Sequence, residues 1–152
     1  STPPMTSPVF IDTNIPIYAA GRAHPLKAPC REVVKLVAAH PQAFVTDAEV
    51  MQELLHRYLA LHNWAVGSAV FARFAVVMRD RIEPMYPEDV ERVAALVDTQ
   101  PGLSARDLVH LAVMMRIGAV RIVTADHGFD GIAQAQRLDP ADVSMWGATL
   151  AT

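Results

Sequence analysis

Cysteine is nearly absent. Cys30 stands alone, so no disulfide can form within the chain, and a reducing, cytoplasmic setting is expected. Lysine is scarce too: of 13 basic residues only Lys27 and Lys35 are lysines, and arginine, the better bidentate phosphate ligand, supplies the rest. There is no excess of positive charge. The formal net charge of −3 neither demands nor forbids nucleic acid, because a nuclease can gather carboxylates in its site and still carry a local basic strip. Long hydrophobic runs are missing as well. The most apolar stretch, WAVGSAVFARFAVVM, is too short for a bilayer and has Arg73 in its middle. No basic segment leads into a signal-peptide core, so no secretory signal and no membrane partner are expected. No cysteine cluster and no HExxH pair is present, which removes the common zinc patterns. The opening STPP reads as a cloning remnant with Met5 the natural start, and residues 1–7 as a flexible N-terminus.

What remains is 152 residues, 52% of them hydrophobic, with no repeat, no low-complexity segment and no mark of a domain boundary. One domain spanning 1–152 with a substantial core follows. VFID reads as a buried strand running into a helix that Thr13 or Asn14 caps, with Pro16 in its first turn. A helix from about Leu26 to His40 places Lys27, Arg31 and Lys35 on one face. AFVT is a second strand, and Asp47 caps the helix EVMQELLHRYLALH. A helix from Trp64 to about Arg79 and a short extended piece, RIEPMY, come next. Pro87, Glu88 and Asp89 open another helix; Ser104 caps SARDLVHLAVMMRIG, which Gly118 closes. VRIVTAD is the clearest strand, DHGFDG a tight turn, and the remainder short elements. Strands separated by helices imply an α/β fold with a central parallel β-sheet flanked by α-helices.

Four acids fall where neither solvent nor a helix end alone explains them. Asp12 ends the first strand and Asp126 ends VRIVTA, so a parallel sheet brings both to its carboxyl edge, where such sheets bind ligands. Asp107 lies in line with Leu111, Met114 and Gly118, on the apolar face of its helix. Glu53 borders the stripe Val50, Leu54, Tyr58, Leu61. Each has a plainer reading: Asp12 as a cap, Asp107 as a dipole partner, Glu53 paired with Arg57, Asp126 as a turn former. Taken together, four inward carboxylates at one end of one sheet repel one another and resist ionisation unless a cation joins them. All-oxygen ligands favour Mg²⁺ or Mn²⁺.

DTN after a strand, ELL within the third helix, RDLVHLAV after a serine cap and VTADHGFD after the last clear strand together resemble a PIN domain. More closely they resemble the VapC-type ribonuclease toxins of bacterial toxin–antitoxin systems. The resemblance covers nearly the whole chain. It implies a PIN-like fold and a Mg²⁺- or Mn²⁺-dependent endoribonuclease that leaves a 5′-phosphate and a 3′-hydroxyl. Transfer RNA or ribosomal RNA would be the substrate. It also implies a homodimer held inactive by a cognate VapB-type antitoxin, with the apolar helices around residues 50–78 as the contact region. Carried over, Asp12, Glu53, Asp107 and Asp126 match the four catalytic acids, with Asp12, Asp107 and Asp126 as metal ligands. Thr124 and Asn14 stand where they could orient a carboxylate or water, and Asp130 where some members have a further acid. Arg22, Lys27 and Arg31 form the candidate RNA-binding strip; Arg73, Arg79 and Arg81 form another. His110, three residues after Asp107, could hydrogen-bond it, while His127 reads as a surface turn residue. The alternative is a catalytically inert module of the same fold that binds RNA or protein. It predicts a missing acid, and none is missing.

Overall fold

The computed structural model describes residues 7–150; the STPP segment, Met5 and the last two residues lie outside that range. Five strands form one parallel sheet among the described residues: β1 (Val9–Ile11), β2 (Phe44–Asp47), β3 (Ile82–Glu83), β4 (Arg121–Val123) and β5 (Gln136–Leu138), in the order β3-β2-β1-β4-β5. The helices are α1 (Asn14–Ala20), α2 (Lys27–Ala39), α3 (Ala48–Ala60), α4 (Trp64–Val77), α5 (Pro87–Leu96), α6 (Ala105–Ile117) and α7 (Val143–Trp146). This is the expected α/β arrangement, with one strand, β5, that the sequence did not announce. No described helix is long and apolar enough to cross a membrane.

β1 is buried along its whole length, so both of its faces are covered, as its unbroken apolar run requires. The core is built from Phe10 and Ile11 of β1, Leu54 of α3, Leu111 and Met114 of α6, and Ile122 of β4, none of which reaches solvent. Ser104 caps α6 by accepting from the Asp107 amide at 3.2 Å, and Gly118 closes it in the left-handed region at φ 75°. Thr13 occupies the cap position of α1 but makes no side-chain cap bond, so the expected cap of that helix is not made by Thr13 or by Asn14, which lies inside it.

Two helix pairs are locked by specific contacts. Asp89, almost wholly buried, accepts from Arg116 Nε at 3.0 Å and fastens α5 to α6. Gly67 brings α4 against α3: a Cβ there would sit 2.3 Å from Cβ of Tyr58.

The register fixes what lies at the sheet's carboxyl edge. Phe10 pairs with Val45 and Ile11 with Val123. One residue further along, Asp12 stands between Asp47 and Thr124. Two bonds hold that row: the Asp12 amide donates to Val123 O at 3.1 Å, and Thr46 Oγ1 donates to Ile11 O at 2.9 Å. The chain leaves β1 for β2 on one side, while β4 lies on the other. Asp12 therefore sits at the topological switch point, where a crevice opens.

Candidate active site

Asp12 is buried and held on both oxygens. Its Oδ1 accepts from the Thr13 amide at 2.7 Å. Its Oδ2 accepts from Thr124 Oγ1 at 2.7 Å and from Asn14 Nδ2 at 3.3 Å. Thr124 also accepts from Asn14 Nδ2 at 2.9 Å and from the Asp126 amide at 3.0 Å, and Asn14 Oδ1 accepts from the Ala125 amide at 3.1 Å. Asn14 and Thr124 thus lock β1 to the end of β4 and fix the Asp12 carboxylate. Burial pushes the Asp12 pKa above its ordinary value, more strongly than its hydrogen bonds and the nearby His110 pull it down.

Glu53, on α3, comes to the same place through a histidine. His110, wholly buried on α6, faces Glu53 Oε1 with Nε2 at 2.7 Å and Asp47 Oδ2 with Nδ1 at 2.8 Å. The same Nε2 lies 3.8 Å from Asp12 Oδ1. Ligand atoms of Asp12, Glu53 and His110 all fall within 4.8 Å of one another. The expected partner of His110 was Asp107; instead α6 turns the ring toward β2 and α3, where Asp47 and Glu53 receive it. Nor does Glu53 pair with Arg57. Burial works to lower the His110 pKa, but the bonds to Asp47 and Glu53 and the charges of Asp47 and Asp12 hold it well above its ordinary value.

Asp107 is half-buried in the first turn of α6. Burial, and then the negative charge of Asp12, pushes its carboxyl up to about 6; the Ser104 hydrogen bond opposes this and Asp126 adds to it. The charges of Asp12 and Asp126 thus both reach Asp107. Glu49 joins the acid field: burial is the main cause of its raised pKa, with Glu53 and Asp47 adding to it.

Asp126 behaves differently from the other three. β4 ends at Val123, three residues before it, and Asp126 is exposed. Its Oδ1 accepts from the Gly128 amide at 2.8 Å and caps a 3₁₀ turn over His127–Phe129. Asp130 is not among the described residues whose ligand atoms converge. It is paired on the surface with Arg137 at 2.7 Å and His127 at 2.9 Å, and those two bonds draw its pKa down.

Arg22 is exposed in the loop after α1, Lys27 begins α2, and Arg31 lines an apolar groove of about 550 Å³ between α1, α2 and α4, together with Lys35 and Arg73.

Asp47 is the residue whose part in the site the sequence did not reveal, and for His110 the sequence pointed to a supporting hydrogen bond but to the wrong acid. Asp47 does cap α3, accepting from the Val50 amide at 2.8 Å, while its second oxygen holds His110. A usable signal existed. Asp47 closes a parallel strand, and Asp12 follows one, so both come to the same carboxyl edge of the sheet.

The donor set fits a hard divalent cation. Two of the converging ligand atoms are carboxylate oxygens, of Asp12 and Glu53, and the third, His110 Nε2, is already engaged by Glu53, so oxygen ligands remain for the cation; burial leaves Asp12 and Asp107 reluctant to ionise, a cost that a cation removes.

Comparison with known proteins identifies the family. Residues 9–135 match the PIN domain. Ribonuclease VapC23 of Mycobacterium tuberculosis is 42% identical over 120 residues, covering 78% of this chain and 93% of that protein. Ribonuclease VapC13 of the same organism is 36% identical over 131 residues, covering 86% and 98%. Ribonuclease VapC7, also from Mycobacterium tuberculosis, is 31% identical over 137 residues, covering 90% and 94%. The match runs through every strand and helix that carries an acid of the cluster, and this chain belongs to the PIN domain family.

Proposed function

We propose that this chain is a metal-dependent endoribonuclease of the VapC type, a toxin that hydrolyses RNA phosphodiester bonds. One observation carries the reading. At the switch point of the sheet, the carboxylates of Asp12 and Glu53 converge, with the half-buried Asp107 close enough to feel the charge on Asp12. Such a group is costly to assemble unless it holds a cation. Relatives named as ribonucleases, 31–42% identical over most of the chain, support it.

Asp12, Asp107 and Asp126 would hold Mg²⁺ or Mn²⁺, with Glu53 beside them. When bound, the cation supplies Lewis acidity that activates water and offsets charge growing on the phosphate oxygens. The chain's own residues do the rest. Thr124 and Asn14 keep the Asp12 carboxylate from rotating. Glu53, partly open to solvent, orients the attacking water and takes up its proton. In-line attack leaves a 5′-phosphate and a 3′-hydroxyl. Arg22, Lys27 and Arg31 contact RNA phosphates, and transfer RNA or ribosomal RNA is the substrate.

A cognate VapB-type antitoxin restrains the enzyme, a homodimer, in the cytoplasm. Leu59, Leu61, Trp64 and Val66 support a protein partner here, because they expose apolar surface along the end of α3 and the start of α4. The PIN domain accounts for the whole chain.

The test is cleavage of total cellular RNA by the purified protein with Mg²⁺, Mn²⁺ or EDTA, beside Asp12→Asn. Expected are a few discrete products that require metal and vanish in the variant. Silence of folded wild-type protein with every metal overturns the reading in favour of an inert binding module.

A further inference from the structure

We propose that His110 is a positioning residue: anchored by Asp47, it holds the Glu53 carboxylate beside Asp12. This rests on the nuclease reading and adds to it the support on which Glu53 depends.

The ring is wholly buried, and an imidazole in that position is tolerated only when both nitrogens are satisfied. Both face carboxylate oxygens, at 2.8 and 2.7 Å. The anchor cannot swing, because Asp47 is itself buried and its other oxygen is taken by the Val50 amide. Phe10 of β1 packs against the ring with centroids 5.3 Å apart, closing off rotation from the sheet side. The order is therefore a rigid acid, a rigid ring, and then an acid on a long flexible side chain.

Glu53 needs that constraint. Its side chain is 18% exposed, and among the described residues its only hydrogen bond comes from His110. Without the ring it would sample several rotamers, and fixing one costs side-chain entropy. A carboxylate that orients an imidazole, which in turn orients a functional group, is a recurring support for metal sites. A proton between Nε2 and Oε1 makes the bond that holds Glu53 in place.

Two substitutions separate this role from simple core packing. His110→Gln keeps an amide near Nε2, able to donate to Glu53. His110→Asn keeps one near Nδ1, able to bond Asp47 but not Glu53. Each would be measured for kcat and KM on an RNA oligonucleotide that the wild type cleaves, for Mn²⁺ affinity by the resonance of free Mn²⁺, and for folding by circular dichroism. Positioning predicts kcat lowered about 10–100-fold in His110→Asn, KM nearly unchanged, and substantial recovery in His110→Gln. It also predicts that His110→Asn adds little to the loss caused by Glu53→Gln, since the two act as one unit. Mn²⁺ affinity should follow the same order.

Equal losses in both variants, or a double variant whose loss is the product of the two singles, would overturn the proposal. So would His110→Asn with wild-type kcat and Mn²⁺ affinity. Should His110→Asn fail to fold, His110→Gln decides: loss of Mn²⁺ affinity as large as in Glu53→Gln overturns the proposal, and a smaller loss supports it. If wild type itself cleaves nothing, the nuclease reading fails separately, and the Mn²⁺ titrations still report whether His110 sets the position of Glu53.

Discussion

Asp12 and Asp126 show how differently two acids at one sheet edge can be treated. Asp12 is buried and its oxygens are bound by Thr13, Thr124 and Asn14, whereas Asp126 is exposed and spends one oxygen on its own turn. The first arrangement is rigid and the second leaves a carboxylate at the mouth. Thr124 is the pivot, because a single hydroxyl donates to Asp12 while accepting from Asn14 and from the Asp126 amide. Thr124→Val keeps the shape and deletes all three bonds. It should destabilise the fold by about 2–3 kcal/mol, the cost of unpaired buried partners of a charged group. Mn²⁺ affinity should fall about tenfold or more, as calorimetric titration would show. Unchanged affinity would mean that Asp12 is oriented by its backbone alone.

At the scale of elements, the contact between α3 and α4 is the most exacting. Alanine normally improves a helix interior over glycine by about 1 kcal/mol. At Gly67 the sign should reverse, because the new methyl would meet Cβ and Cγ of Tyr58, which cannot move without shifting α3. Gly67→Ala is expected to cost about 1–3 kcal/mol in urea unfolding. Since α3 also carries Glu53, cleavage should fall with it. Asp89 and Arg116 do comparable work between α5 and α6, and Arg116 further stacks on Tyr86 at 4.6 Å. β5 illustrates an element without a local signal. Gln136–Leu138 is short, polar and partly exposed, and it forms because the free edge of β4 pairs with it from Arg121 through Val123.

For the whole molecule, the acid cluster ties stability to pH and to metal. Asp107 is raised from 3.8 to about 6, so the folded state binds its proton more tightly than the unfolded chain does. That contribution is complete below about pH 4 and is lost as pH rises through about 6. Asp12 and Glu49 are shifted in the same direction. A divalent cation takes the place of the proton, so Mn²⁺ should raise Tm far more at about pH 7.5 than at about pH 5. At a hundredfold excess over Kd the gain is about 2.7 kcal/mol. Scanning calorimetry of wild type and Asp107→Asn checks both halves: the variant should lose the acid-side slope and most of the Mn²⁺ response. A Tm insensitive to Mn²⁺ at neutral pH would count against a metal held by these acids.

Much of this was legible in the sequence for a simple reason. Strand and helix periodicities are local, so they reveal that Asp12 ends a buried run and that Asp107 lies on an apolar face. The parallel α/β order, the caps at Asp47 and Ser104 and the stop at Gly118 follow from the same short-range rules. Partner choice is not local. His110 could reach Asp107 one turn away on its own helix, and only the packing of α6 against β2 and α3 delivered it to Asp47 and Glu53. Asp126 looked like a strand end because its residues favour extension, but the ladder stops at Val123. Asp130 lay within reach in sequence and was claimed instead by Arg137, from a strand with no signal of its own. The sequence by itself determined that Asp12 and Asp107 turn away from water, but it misplaced Asp126, which is exposed, and passed over the buried Asp47. Tertiary structure alone decided which of them meet, because distances between elements depend on how helices settle on the sheet, and no periodicity encodes that.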